Sequence, residues 1–152
     1  MQNVDLIEGA TAILRAGVGV VFVAAALAKF AMGRERLVRL IDSYGLLPQL
    51  LVRGFARALP PTELIVGALL LVGLWTRPAA ALAIALLGLF SAAVALAIRR
   101  GRTDSCGCFG RALAQRLRWR LVVRNAVLAA GAAGVFVADG GLASLGTFLT
   151  RQ

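Results

Sequence analysis

Four long apolar stretches, roughly 6–28, 49–74, 78–98 and 119–138, constrain this chain more than any other feature of its sequence. Each approaches the about 20 residues that an α-helix needs to cross a bilayer. Hydrocarbon offers no water to backbone N–H and C=O groups, so a spanning segment must close its hydrogen bonds internally. The expected fold is therefore all-α, an integral membrane four-helix transmembrane bundle, with residues 1–152 forming a single transmembrane domain. The third stretch, PAAALAIALLGLFSAAVALAI, carries no charge over 21 residues and opens on Pro78, a residue tolerated at a first helical position. The second is less regular. From Pro61 to Trp75 it has 15 residues, about 22 Å at helical rise and short of a roughly 30 Å core. Its first turns are therefore expected upstream, over 49–59, with Pro60 and Pro61 kinking the helix where backbone hydrogen bonds lapse.

Between the first two spans, RERLVRLIDSY puts Leu37, Leu40, Ile41 and Tyr44 at helical spacing, with Arg34, Arg36 and Arg39 opposite. This pattern predicts a short interfacial amphipathic helix lying on the membrane surface. The chain has 17 Lys plus Arg against 7 Asp plus Glu, a balance that in a polar domain would suggest nucleic acid. Here the basic residues sit between apolar runs and form no stripe interleaved with stacking aromatics, so no nucleic-acid partner is expected. They follow the positive-inside pattern instead. Lys29, Arg34, Arg36, Arg39, Arg53 and Arg57 flank the first connection, and Arg99, Arg100, Arg102, Arg111, Arg116, Arg118 and Arg120 the third, whereas the other side has Arg77 and Arg151. Both basic loops are expected in the cytoplasm and both termini outside, in a bacterial inner (plasma) membrane. The start, MQNVDLIEG, has Asp5 and Glu8 and no basic residue, so no cleaved secretory signal is expected.

Polar residues inside the apolar stretches need partners. Arg15 interrupts the first span and Glu63 the second, and a lone charge in hydrocarbon costs at least a few kcal/mol. Counted from the outer ends, both lie roughly 15 Å deep at helical rise, which makes an Arg15–Glu63 pair the economical expectation. It would act as a lock for the bundle or as a polar site for a substrate, a quinone or a proton. Lys29 at the inner end of the first span and Arg124 in the fourth can snorkel to headgroups. Asn125 suits a hydrogen bond between helices. Ala81 with Ala85, Gly88 with Ala92 and Ala130 with Gly134 offer small residues at the spacing that lets spans approach closely.

SCGCFG, residues 105–110, holds both cysteines of the chain, and there is no histidine. A Cys-Gly-Cys disulfide closes a very small ring near the edge of disulfide geometry, and strain makes such a bond easy to reduce. Arg99, Arg100, Arg102 and Arg111 surround the pair and favour thiolate, with Asp104 opposing. Cys106 and Cys108 are thus suited to passing two electrons through a mixed disulfide with a partner. Two thiolates also suit a soft ion such as Cu(I), while tetrahedral zinc would need four ligands, which a homodimer could supply from two pairs. Unreactive thiols in a turn, or a lipidation site, are the remaining readings.

Taken together, LAKF at 27–30, YGLLP at 44–48, LPPTELIVGALLLVGLWTRPAA at 59–80, GRTDSCGCFG at 101–110, and Arg124 with Asn125 resemble the DoxX-like membrane proteins, and within them the MauE group of methylamine utilisation. The resemblance implies a four-helix membrane bundle with a role in thiol or disulfide traffic, often beside a thioredoxin-like partner, as in maturation of a periplasmic dehydrogenase. On that basis Cys106 and Cys108 carry the redox chemistry, and Lys29, Glu63, Arg124 and Asn125 are polar supporting positions. With no second cysteine pair, a relay would pass through another protein or a membrane quinone. The competing expectations are a Cu(I)-binding membrane protein and a non-catalytic membrane assembly subunit.

Overall fold

The computed structural model describes the backbone over residues 2–100 and 119–138, with side chains from residue 9 onward. Five helices make up these residues: α1 Gln2–Met32, α2 Arg34–Ser43, α3 Gln49–Val72, α4 Thr76–Arg99 and α5 Trp119–Ala138. Four are long and apolar enough to cross a membrane, over Gly9–Met32, Gln49–Val72, Thr76–Arg99 and Trp119–Ala138. The chain is a multi-pass membrane protein.

The four spanning helices close a ring. Helix α1 packs on α3 and α5, and α4 packs on α5 and α3, while the diagonal pairs α1 with α4 and α3 with α5 make no close backbone approach. The ring interior is filled by Val18 and Phe22 of α1, Val66 and Leu70 of α3, Ala79, Ala80, Ala83 and Leu87 of α4, and Ala132 and Val135 of α5. Many large apolar side chains outside it, among them Ile13, Leu82, Leu89 and Val127, are exposed, as lipid rather than water as solvent requires.

Glycine and proline set the turns. Gly33 has φ 84° and caps α2, a backbone conformation that glycine adopts without steric cost. Its carbonyl accepts from Leu37 N at 3.1 Å, closing the first turn of α2 as α1 ends. Pro48 caps α3, with its carbonyl accepting from Leu51 N at 2.8 Å. Helix α3 then runs on through Pro60 and Pro61, and Thr62 Oγ1 donates to the Ala58 carbonyl at 2.8 Å. The α3 to α4 turn is tight: Gly73 ends α3 in the left-handed region at φ 79°, and Trp75, also left-handed at φ 48°, precedes α4. Ala79 N donates to the Trp75 carbonyl, so α4 begins two residues before Pro78. The proline falls in the first turn, where its missing N–H has no intrahelical acceptor to lose.

Helix α2 is where the sequence pattern placed it, but its apolar face meets protein. Leu37 and Ile41 are buried against Val52, Ala56 and Leu59 of the first half of α3, with Phe90 of α4 beside them. Gln49–Leu59 therefore does more than lengthen the second span, since it supplies the wall on which α2 docks.

Helices α1 and α3 cross closely at Gly19 and Gly67. A Cβ on Gly67 would stand 2.9 Å from the Gly19 carbonyl oxygen and 2.9 Å from Val23 N, and one on Gly19 would meet the Gly67 carbonyl at 3.0 Å. These are backbone atoms that no rotamer change removes. Of the three small-residue pairs expected from spacing, the two on α4 do not make such crossings: Ala81, Ala85, Gly88 and Ala92 are exposed, and a Cβ on Gly88 would meet nothing within 4 Å, whereas one on Gly134 of α5 would stand 3.7 Å from the Leu14 side chain of α1.

Candidate functional site

Among the described residues, one charged pair lies inside the bundle. Lys29 is in the last turn of α1, and its Nζ donates to both Oε1 and Oε2 of Glu63 on α3, each at 2.8 Å. Glu63 is 2% exposed and Lys29 20%. The ammonium also stands 5.5 Å from the Phe90 ring centroid on α4, within reach of a cation–π contact. Three helices thus share one ion pair, whose two hydrogen bonds offset part of the cost of taking the charges out of water.

The expected Arg15–Glu63 pair does not form. Helix α1 runs antiparallel to α3, and the Gly19–Gly67 crossing fixes their register. In that register Arg15 lies at the far end of α3: a Cβ on Gly73 would be 2.7 Å from Arg15 Nη1. Gly73 is ten residues beyond Glu63, about 15 Å along a helix. The guanidinium instead packs on the C-terminal end of α3, whose unpaired carbonyls carry the negative end of the helix dipole. Lys29, which snorkelling alone could explain, reaches inward and takes the carboxylate.

Helix α5 separates the adjacent Arg124 and Asn125. Asn125 is buried and Arg124 is exposed, so only Asn125 faces the ring. Gly131 and Gly134 of α5 lie beside Val18 and Leu14 of α1, and extending that antiparallel register brings Asn125 level with residues 23–24 of α1. Val23 touches Gly67, one turn above Glu63. Lys29, Glu63 and Asn125 therefore lie in neighbouring layers of the bundle, while Arg15 lies at the opposite end and Arg124 points outward. A cation–π contact, Arg77 over Phe136 at 5.1 Å, ties α4 to α5 at the Arg15 end.

The end that carries Lys29 also carries α2 and the start of the cysteine-bearing segment. Arg100, the last described residue before that segment, donates from Nη1 to the Gly45 carbonyl at 3.1 Å, which joins α4 to the α2–α3 turn. Tyr44 in the same turn is partly buried, and burial pushes its phenol above the usual tyrosine range. Cys106 and Cys108 lie outside the described residues. Among the described residues there is no cluster of three or more His, Cys, Asp or Glu that could hold a metal ion.

The described residues thus define a multi-pass helical membrane bundle organised around the one internal ion pair found among them, and the thiol-bearing stretch of sequence follows the end of α4 on the α2 side. The profile of the family described as Methylamine utilisation protein MauE matches residues 7–138, and the chain belongs to that family. The Methylamine utilization protein MauE of Paracoccus versutus is 42% identical over 140 residues, covering 88% of this chain and 75% of that protein. Its counterpart in Paracoccus denitrificans is 42% identical over 118 residues, 77% of this chain and 63% of that protein. The Methylorubrum extorquens protein of the same name is 38% identical over 126 residues, 82% of this chain and 67% of that protein. No solved structure shows a significant match.

The Lys29–Glu63 contact was missed by sequence reasoning although both residues were singled out. A signal existed: Lys29 is the chain's one lysine and Glu63 the one acid within the last three spans. Depth counting paired Glu63 with the wrong cation because it fixed each helix separately and left their mutual register undetermined.

Proposed function

We propose that this chain is a membrane thiol/disulfide redox protein of the methylamine utilisation system, exchanging electrons through Cys106 and Cys108 with a thioredoxin-like partner. The observation that carries the reading is the placement of both cysteines of the chain one residue apart, inside the 7–138 range matched by the family profile. The thiolate of one cysteine attacks the partner's disulfide and forms a mixed disulfide, releasing one partner thiolate. The second cysteine then attacks the mixed disulfide, closing Cys106–Cys108 and releasing the other partner thiol. Two electrons and two protons pass to the partner, which becomes a dithiol as this pair becomes a disulfide, and the reverse sequence runs by the same steps. A membrane quinone is the alternative acceptor, taking the same two electrons and two protons to become a quinol.

Lys29 and Glu63 serve this reading as support: they fasten α1 to α3 at the end where α4 gives way to residues 101–118. In the proposed orientation that end is cytoplasmic, with the termini outside. Arg34, Arg36, Arg39, Arg53, Arg57, Arg99, Arg100 and Arg120 are all exposed on the helices that meet there, as the positive-inside bias requires.

Differential alkylation of the protein in native membranes tests the chemistry. The expected result is a fraction in which both thiols become modifiable only after reduction, and a Cys108→Ser variant that accumulates a mixed disulfide with a partner protein. Thiols that are free throughout, with no mixed species, end the redox reading. Copper co-purifying in proportion to the cysteines would point to the Cu(I) alternative. An impermeant thiol reagent on intact cells tests the orientation, and labelling from outside would reverse it.

A further inference from the structure

The α2 end carries an open groove that the thiol chemistry does not use. It encloses about 530 Å³ between α2 and the first turns of α3 and is lined by Val38, Asp42, Gln49, Leu50, Val52 and Arg53, a volume within the range of small-molecule sites. Its lining is divided by chemistry. Asp42 stands on the last turn of α2 and Arg53 on the second turn of α3. They face one cavity without touching, since the ion pairs among the described residues are Lys29–Glu63 and Arg39–Glu35. Both side chains are exposed, Val52 forms an apolar floor, and Leu50 is 90% exposed at the rim. Gln49 is the first residue of the candidate span Gln49–Val72, 24 residues long; centred on a roughly 30 Å hydrocarbon core, a helix of that length puts its first turn at the level of the headgroups.

We infer that this groove seats the headgroup of a phospholipid that bears both a phosphate and a primary ammonium, a phosphatidylethanolamine. An acid and a base held apart across a gap match a zwitterion whose two charges have the reverse order. The Arg53 guanidinium donates to phosphate oxygens, for which its planar donor fork is suited. The ammonium N–H groups donate to the Asp42 carboxylate and the Gln49 side-chain carbonyl. The acyl chains leave past Leu50 into the bilayer, which gives that residue an apolar partner it lacks within the protein. A choline headgroup carries the same charges but has no N–H to donate, so the exposed Asp42 would keep water as its donor and meet only the field of the cation. A glycerol headgroup brings hydroxyl donors but no cation, so nothing in it would neutralise Asp42. The basic residues around the groove would attract any anionic lipid. The carboxylate within it is what selects the ammonium. This inference is independent of the redox reading and concerns residues outside it.

Native mass spectrometry of the full chain, released from micelles with equimolar phosphatidylethanolamine, phosphatidylcholine and phosphatidylglycerol of identical acyl chains, tests it. The expected result is a retained phosphatidylethanolamine adduct at least about fivefold more abundant than phosphatidylcholine. Asp42→Asn should bring that ratio near unity while Asp42→Glu keeps it, and Arg53→Gln should lower all three adducts. Helical circular dichroism would show that the exposed substitutions leave the fold intact. Equal retention of phosphatidylethanolamine and phosphatidylcholine by the unaltered protein, a phosphatidylglycerol adduct that dominates both, or a preference that persists in Asp42→Asn would each overturn the assignment.

Discussion

Helix α1 carries two cations, and the protein treats them in opposite ways. Lys29, in the last turn, turns inward and gives both of its described hydrogen bonds to a carboxylate that is 2% exposed. Arg15, about 21 Å away along the same helix, meets no carboxylate among the described residues and lies against the left-handed glycine that ends α3. One cation neutralises a full charge inside the bundle; the other answers a dipole of about half a charge near its rim. Both fasten α1 to α3, yet their removal should differ in cost severalfold, because only at Lys29 does the partner become an uncompensated buried charge.

The largest effect is therefore expected at the ion pair. Lys29→Met leaves Glu63 enclosed without its counter-ion, which costs about 3–5 kcal/mol when one half of a buried pair is removed. Glu63→Gln should cost less, since Lys29 is 20% exposed and its long stem can carry the ammonium toward the interface. The double variant Lys29→Met/Glu63→Leu should regain most of the loss in Lys29→Met. Equilibrium unfolding in mixed micelles measures all three. Equal costs for the two single variants, or additive costs in the double, would show that the pair is not acting as a unit.

The Gly19–Gly67 crossing decides which cation meets the carboxylate, so the next effect lies there. Gly67→Ala puts a methyl 2.9 Å from two backbone atoms of α1, and overpacking of this kind costs about 1–3 kcal/mol. Gly88→Ala, where a Cβ meets nothing within 4 Å, should be neutral or stabilising by up to about 1 kcal/mol through helix propensity. If Gly67→Ala moved α1 along α3 rather than apart from it, cross-linking between cysteines placed on the two helices would report a changed register, and the Lys29–Glu63 contact would be lost with it. A pair of variants that behave alike would mean that the crossing is looser than its 2.9 Å approach indicates.

This crossing also marks the limit of what could be read from sequence. The four apolar blocks, the amphipathic 34–43 segment and the Trp119–Ala138 span are local patterns, and local patterns survive folding because each helix must satisfy its own backbone in lipid. Which face of an alanine-rich helix turns inward is not a local property. Ala81, Ala85, Gly88 and Ala92 have the spacing of a crossing motif and face outward, whereas Gly19 and Gly67, 48 residues apart, make the contact. Mean hydropathy cannot choose between such faces, since lipid and core are equally apolar. Arg124 and Asn125 show the same thing at single-residue scale: adjacent in sequence, one is exposed and the other buried. Lys29, Glu63 and Asn125 were legible as candidates because charge and amide groups are scarce in apolar runs. Their arrangement became legible only with the helix register.

At the α3 to α4 turn two causes act on one atom. Gly73→Ala forces an L-residue to φ 79°, at about 1–2 kcal/mol, and its methyl would stand 2.7 Å from Arg15 Nη1. The guanidinium is the far end of a flexible side chain and can move aside, so the backbone term should dominate and the total should stay below that of Lys29→Met. Combining Gly73→Ala with Arg15→Leu separates the two causes. A cost for the glycine change that is unaltered in the Arg15→Leu background assigns it to the backbone alone; a smaller cost there measures the displaced guanidinium.

Arg15→Leu by itself should show the smallest effect, a loss of about 0.3–1 kcal/mol, the usual worth of a cation at a helix C-terminus. The sign depends on two opposing contributions. Leucine is favoured over arginine in hydrocarbon, while the last carbonyls of α3 lose the nearby positive charge and return to whatever donors the interface provides. Because Arg15 sits close to the end of its span, water and headgroups are within reach of those carbonyls, and the loss stays small. Increasing salt should reduce the difference between Arg15→Leu and the unaltered protein, since a dipole interaction near the surface is screened, and should leave the Lys29→Met cost nearly unchanged. An Arg15→Leu cost that matched Lys29→Met, or that ignored salt, would mean that this guanidinium holds a charge partner of its own and that the two ends of α1 are fastened alike.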